Sequence, residues 1–258
     1  MWKMVTLFGV SAMAFAVSHV AIRDSYALAS ESDLSAVPPG FTSLFNGKDL
    51  SGWTIPAGDN GHWKVLDGVI DYDSLSEAPP GKRHLWSEKE YGDFILKLDW
   101  RIKEPSGIYD IPIVLSDGTN LKDVNGEDIT VPQPNADSGI FLRGQQKSQV
   151  NIWCWPVGSG EVFGYRNDES MPVEVRAAVT PKLKADNPVG QWNTFIIVMM
   201  GDRLSVILNG HQVIVNAQLP GVPAGGRIAL QSHGGIIDGK LHPASSLVQF
   251  RNISIREL

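Results

Sequence analysis

Between Phe94 and Lys103 the chain alternates almost without a break. Phe94, Leu96, Leu98, Trp100 and Ile102 fall on one side, and Lys97, Asp99, Arg101 and Lys103 on the other, with Ile95 out of pattern. A period of two is the signature of a half-buried β-strand, and it predicts a sheet with one face against a core and one face in solvent. Two hairpins follow from turn chemistry. Val206 and Leu208 lead into Asn209-Gly210, after which His211 to Val215 resume the pattern, and Asp67-Gly68 separates Trp63–Leu66 from Val69–Tyr72. Both dipeptides supply the positive φ angles that a type I′ turn requires.

Further strands are expected at 138–143, 148–155, 192–200, 226–232 and 246–256, and only 173–185 has the pattern of a short helix, interrupted by Pro181. Many short strands divided by Gly and Pro turns predict an all-β chain, a sandwich or jelly roll of two antiparallel sheets. The stretch from Pro105 to Asn135, with Asp110, Asp117, Asp123, Glu127 and Asp128, reads as one long acidic, unstructured loop. A calcium loop of the EF-hand type does not fit, because counting back from Gly126 puts Leu121 at the first ligand position.

Composition narrows the function classes. Hydrophobic residues make up 43% and charged residues 19%, which is a globular balance. A net charge of -6 argues against nucleic acid or an anionic membrane as partner, since phosphate contacts need clustered Lys and Arg. The single cysteine, Cys154, excludes an intramolecular disulfide and any zinc site built on several thiolates. Residues 1–29 read as a secretory signal: Lys3 supplies the positive start, Met4 to Ile22 is mostly apolar, and Ala27-Leu28-Ala29 is an A-x-A cleavage site. A membrane anchor is the competing reading, because the apolar run approaches spanning length. Residues 30–40 then form a linker and 41–258 one domain, exported to the periplasm or outside the cell, with no stable membrane span once the signal is removed.

No dinucleotide fingerprint, P-loop, G-x-S-x-G elbow or H-E-x-x-H motif is present, and Cys154 has no histidine near it in sequence. What remains is a pattern of strand faces. If Ile140 and Leu142 face the core, Arg143 falls opposite. If Val150 and Ile152 face inward, Gln149, Asn151 and Trp153 share the other side. Gln231 and His233 lie together opposite Leu230. On one curved sheet these residues would line a groove of amides, a guanidinium, an imidazole and an indole, the groups that hydrogen-bond sugar hydroxyls and stack on a pyranose. An ordinary solvated sheet face is the competing reading.

The run Gly40-Phe41-Thr42-Ser43-Leu44-Phe45-Asn46-Gly47-Lys48-Asp49-Leu50-Ser51-Gly52-Trp53 resembles the opening signature of the 3-keto-disaccharide hydrolase domain family. The resemblance recurs in order at Trp63 to Ile70, Asp93 to Ile102, Ser138-Gly139-Ile140-Phe141-Leu142-Arg143-Gly144, Gln191-Trp192-Asn193, the Asn209-Gly210 hairpin, Ile228 to Gly234 and Phe250 to Leu258. It implies a concanavalin-like, glucanase-like β jelly roll whose concave sheet holds a carbohydrate site. It also implies cleavage of sugars already oxidised at C3, supplied by a separate sugar 3-oxidoreductase. A 3-keto group acidifies the C2 hydrogen, so a base can form an enolate that expels the C1 substituent, and water then adds back. Such a site needs a base, a proton donor, and positive charge or a divalent metal at the enolate oxygen.

The chain departs from the family pattern at one strand. Members commonly read Glu-Val-Gln-Ile-x-Asp where this chain has Gln149-Val150-Asn151-Ile152-Trp153-Cys154, and the usual Asn before Ser-Gly-Ile-Phe is Asp137. The carboxylates of that strand are therefore missing, and neither Gln149 nor Cys154 is a hard anionic metal ligand. The resemblance leaves Glu161 or His233 as general base, Asp137 to orient a substrate hydroxyl and Arg143 to stabilise the oxyanion. Gln149, Asn151, Trp153, Gln231 and Arg166 are the expected sugar-binding residues. A structural salt bridge or turn cap competes with each catalytic assignment. Two other functions stay open beside the hydrolase or lyase: a non-catalytic, lectin-like binding module, and a surface interaction domain using Trp153 and Trp155.

Overall fold

The computed structural model describes residues 37–258. The signal assigned to 1–29, and linker residues 30–36, lie outside the described residues. The strands in chain order are β1 (Thr42–Ser43), β2 (Trp53–Thr54), β3 (Trp63–Leu66), β4 (Val69–Tyr72), β5 (Leu85–Tyr91), β6 (Phe94–Ile102), β7 (Ile108–Pro112), β8 (Thr130–Pro134), β9 (Asp137–Leu142) and β10 (Gln145–Trp153). Two short helices follow, α1 (Phe163–Arg166) and α2 (Val173–Ala178). The chain then forms β11 (Asn193–Met200), β12 (Arg203–Leu208), β13 (His211–Gln218), β14 (Gly226–Leu230), β15 (Ile236–Ile237), β16 (Lys240–Leu241) and β17 (Val248–Glu257).

Two antiparallel sheets face each other, as the alternation predicts. The larger runs β13-β12-β11-β6-β17-β4-β3, with β1 paired to β17, and the smaller runs β10-β9-β14-β5-β2. The expected core face of β6 is buried throughout, and it packs with Phe195 and Ile197 of β11, Val206 and Leu208 of β12, and Phe250 and Ile255 of β17. From the smaller sheet, Ile140, Leu142, Val150, Ile152, Ile228 and Leu230 complete that core. Each such side chain contributes roughly 1.5–3 kcal/mol by leaving water.

Both I′ turns form. Asp67 and Gly68 have φ of 49° and 77°, Asn209 and Gly210 of 51° and 81°, and the flanking pairs are Leu66 with Val69 and Leu208 with His211. The helix expected at 173–185 is confined to α2, which stops before Pro181.

The stretch 105–135 is not an unstructured loop. β7 and β8 pair antiparallel, and bridges between Val114 and Asn120 and between Lys122 and Asp128 extend the ribbon. Its acids close turns. Asp117 Oδ1 accepts from the Thr119 backbone N–H at 2.9 Å, and Asp123 Oδ1 accepts from those of Asn125 and Glu127 at 2.8 and 2.9 Å. These local bonds explain a high acid count without a cation. Among the described residues no helix is long and apolar enough to cross a membrane.

Candidate functional site

The outer face of the smaller sheet carries the site. With Ile140 and Leu142 in the core, Asp137, Gly139 and Phe141 of β9 point outward. With Leu230 inward, Ala229 and Gln231 point outward beside them. A cleft of about 320 Å³ lies on this face, and its walls include Arg83, His84, Gln146, Gln149, Gln231 and His233. Of the expected residues, the structure brings Gln149, Gln231 and His233 to this cleft, with Asp137 beside His233 at its margin.

Gln149 lies flat across β9. Its Nε2 donates to the Ser138 carbonyl at 3.1 Å and to Gln231 Oε1 at 2.5 Å. Gly139 makes that possible, because a Cβ there would stand 2.3 Å from Gln149 Nε2 and 2.8 Å from the Val150 carbonyl oxygen. The two amides thus form a fixed pair across the strand instead of two mobile side chains.

His233 follows the end of β14, where the chain leaves the sheet. Ser246 holds it next to Asp137: its Oγ accepts from the His233 backbone N–H and donates to the Asp137 carbonyl, each at 2.6 Å. His233 Nδ1 lies 2.9 Å from the Ala244 carbonyl oxygen. A carbonyl only accepts, so Nδ1 carries the proton, and in the neutral ring Nε2 holds the lone pair. Asp137 Oδ2 is 3.8 Å from that Nε2. Burial pushes the Asp137 carboxyl up to about 6, with the His233 imidazole opposing the shift.

His84 and Arg83 complete the polar wall. His84 Nδ1 accepts from the Ser232 backbone N–H at 3.2 Å, and its Nε2 stands 3.2 Å from Gln146 Nε2. Burial, and then the nearby His233, push the His84 imidazole down to about 4, so it is neutral at ordinary pH. Arg83 is fixed by the Ala78 carbonyl at 2.6 Å and the Gly234 carbonyl at 3.3 Å. It is the cation of the cleft.

Five expected residues stand elsewhere. Arg143 is not a strand residue. With Gly144 it makes the two-residue turn between β9 and β10, at φ of 51° and 76°. Its guanidinium is 1% exposed and donates to the carbonyls of Gly92, Gly201 and Pro223 and to Asp93 Oδ1. That places it at the junction of the two sheets, occupied with backbone.

Glu161 is fully buried, with Arg166 Nε 2.5 Å from its Oε1 in an ion contact not aligned as a hydrogen bond. Desolvation pushes the Glu161 carboxyl up to about 7 despite the opposing guanidinium. Arg166 also reaches the ribbon at the Gly118 carbonyl and Asn120 Oδ1. Both residues are therefore internal supports of the ribbon.

Asn151 is 3% exposed, because the segment before α1 pairs back along β10: Gly160 N–H donates to its carbonyl at 2.8 Å, and its own N–H donates to that of Glu161 at 2.9 Å. Trp153 is 3% exposed, stacked on Trp155 at 4.1 Å, with Nε1 donating to the Gly158 carbonyl at 2.8 Å. It lines a different cleft, of about 230 Å³, together with Trp100 and Cys154. Of the residues that sequence reasoning missed, Arg83 and His84 lie just before β5, and Gln146 lies in β10 where the ladder to β9 slips between Gln145 and Val150.

The donor set does not fit a divalent metal. Among the described residues no three His, Cys, Asp or Glu side chains converge, and the strand expected to carry acids has Gln149 and Cys154. Burial pushes the Cys154 thiol up to about 11, far from a thiolate ligand.

The family model of the 3-keto-alpha-glucoside-1,2-lyase-like domain matches residues 40–256. A crystal structure of a proposed glycosyl hydrolase from Parabacteroides distasonis superposes with a TM-score of 0.55 at 23% identity, over 86% of this chain and 85% of that one. A second from the same organism gives 0.52 at 19% identity, over 90% of this chain and 98% of that one. At these identities the likeness is one of fold. No curated protein matches the chain.

Proposed function

Since the chain belongs to the 3-keto-alpha-glucoside-1,2-lyase-like family and is a carbohydrate-active, glycosyl-hydrolase-like protein, we propose that it cleaves glycosides already oxidised at C3. The observation that carries this reading is the tautomer of His233. The Ala244 carbonyl claims Nδ1–H and leaves Nε2 as a base beside Asp137.

His233 Nε2 takes the C2 proton, whose removal the adjacent C3 ketone makes feasible by accepting the electron pair as an enolate. Arg83, the cation of the cleft wall, is in place of Arg143 as the group that stabilises the enolate oxygen. The enolate re-forms the ketone and expels the C1 oxygen, leaving a C1–C2 double bond. Asp137 gives the departing oxygen its proton, a role that suits a carboxyl pushed up to about 6. Water then adds at C1, with Asp137 accepting a proton and His233 returning one to C2. The Gln149–Gln231 amide pair holds sugar hydroxyls. On this reading a separate sugar 3-oxidoreductase supplies the ketone, and the export signal read at residues 1–29 supports a reaction outside the cytoplasm.

The test is incubation with 3-keto-trehalose and a 3-keto-β-glucoside, each with and without chelator. Sugar release is expected in both conditions, and His233→Gln lowers it by about 10²–10⁴-fold. Absence of release, with saturable binding of unmodified glycans, would replace this reading with that of a lectin-like module.

A further inference from the structure

The outer face of the smaller sheet does not end at the His233 cleft. A second depression, of about 390 Å³, continues along it past Phe141, and its walls include Trp86, Glu90, Gly144, Gly225 and Arg227. An aromatic row lies between the two depressions, with Phe141 lining the first and Trp86 the second. Phe141, Ala229 and Trp86 are cross-strand neighbours on β9, β14 and β5. The small Ala229 lets the outer rings approach to 5.9 Å between centroids, tilted by 30°. His84 packs edge-on against Phe141 at 4.8 Å. Phe141 is buried beneath its neighbours, while the Trp86 indole is half-buried and offers an open surface.

Polar groups flank that indole. Glu90 is opposite Arg227 in register, but Arg227 is committed to the Ser87 carbonyl and Thr54 Oγ1. The exposed Glu90 carboxylate lines the depression and makes no ion pair among the described residues, so its two oxygens are free to accept. An indole face beside an unengaged carboxylate is the arrangement that stacks on a pyranose and accepts from neighbouring hydroxyls. Spacing then decides what part of a substrate arrives there. Asp137 and Phe141 are four residues apart on β9, about 13 Å at a strand's rise, longer than one hexopyranose ring.

We propose that Trp86 and Glu90 form a saccharide subsite for a sugar unit of the substrate beyond the one that carries the ketone. This rests on the cleavage reading for where the bond is cut, and it makes the preferred substrate an oligosaccharide-length glycoside. A small aglycone gains nothing from the second depression.

The experiment compares kcat/KM for a methyl 3-keto-glucoside with that for 3-keto-derivatives of maltotriose, cellotriose and laminaritriose oxidised at the non-reducing unit. Wild type is expected to favour at least one trisaccharide by tenfold or more. Trp86→Ala and, separately, Glu90→Gln reduce that ratio to threefold or less, and Trp86→Phe restores most of it. A purely structural effect of Trp86→Ala lowers both substrates together and leaves the ratio intact. That result, or a wild-type ratio near one for every trisaccharide, overturns the subsite. If wild type cleaves no 3-keto-glycoside, the cleavage reading fails by itself. Calorimetry with the three unmodified trisaccharides then decides the subsite alone: binding that Trp86→Ala weakens tenfold supports it, and equal or absent binding overturns it.

Discussion

Arg143→Met separates support of the fold from catalysis more sharply than any other substitution. Met fills much of the channel but donates no hydrogen bond, so the carbonyls of Gly92, Gly201 and Pro223, now served at 2.9, 2.5 and 2.9 Å, lose their donor together. These bonds are part-buried, so each acceptor that loses its donor costs about 1–1.5 kcal/mol, the low end for an orphaned acceptor. Asp93, whose side chain is 43% exposed, rehydrates and adds little. The expected loss is therefore about 3–5 kcal/mol, and at about 2–4 °C per kcal/mol for a domain of this size it lowers Tm by roughly 6–20 °C. Urea titration gives the free energy, and a thermal melt gives the shift. Arg143→Lys, with one donor head instead of a fork, should fall between the two. Turnover of a small 3-keto-glycoside per folded molecule should stay within threefold of wild type. An unchanged melt with abolished turnover would mean that the guanidinium reaches substrate, and the assignment of Arg143 to the sheet junction would be wrong.

Glu161 gives a pH signature. It is held at about 7 in the folded protein against an ordinary 4.5, so between those values the native state keeps a proton that the unfolded chain has released. Stability should fall as pH rises through that window, by about 3 kcal/mol, and Glu161→Gln should make urea midpoints measurably flatter from pH 4.5 to 7. Gly139→Ala is expected to cost about 1–3 kcal/mol by overpacking and to raise KM by swinging Gln149 off β9; an unchanged KM would show that the amide pair binds nothing. Cys154, 9% exposed with its thiol pushed up to about 11, should resist a thiol reagent in the native state and react at once in denaturant. Fast native labelling would contradict its burial.

The fold was legible because its signals are local. Asp67-Gly68 and Asn209-Gly210 declare their turns through residues that tolerate positive φ, and β6 declares its buried face through simple alternation. The site was legible only where a strand continues. Gln149 and Gln231 share a sheet face because period two holds on both strands, but Arg143 has the same apparent phase and adopts a left-handed turn instead. Arg-Gly carries a much weaker turn signal than Asn-Gly, so nothing in the sequence separates the two readings. Glu161 misled for another reason. An acid near glycines reads as exposed, and its burial follows from Gly160 and Glu161 pairing back onto Asn151, a contact no local pattern encodes. On β5 Trp86 and Glu90 keep one phase, opposite the buried Leu85, Ser87 and Tyr91, but the ladder to β14 slips between Arg227 and Ala229, so which residues of β14 they meet is not encoded in the local pattern.

The position of β17 has a consequence for how the molecule assembles. Residues 248–257 lie between β6 and β4 in the middle of the larger sheet and also receive β1. Strands made some 150 residues earlier therefore wait with an open edge until this one arrives, and β6 offers its apolar face to other chains meanwhile. Sheet closure by a strand so distant in sequence carries a large loop-closure cost and slows folding. A substitution such as Phe250→Ala should consequently act first on yield and aggregation during refolding, before any effect on the finished enzyme is seen.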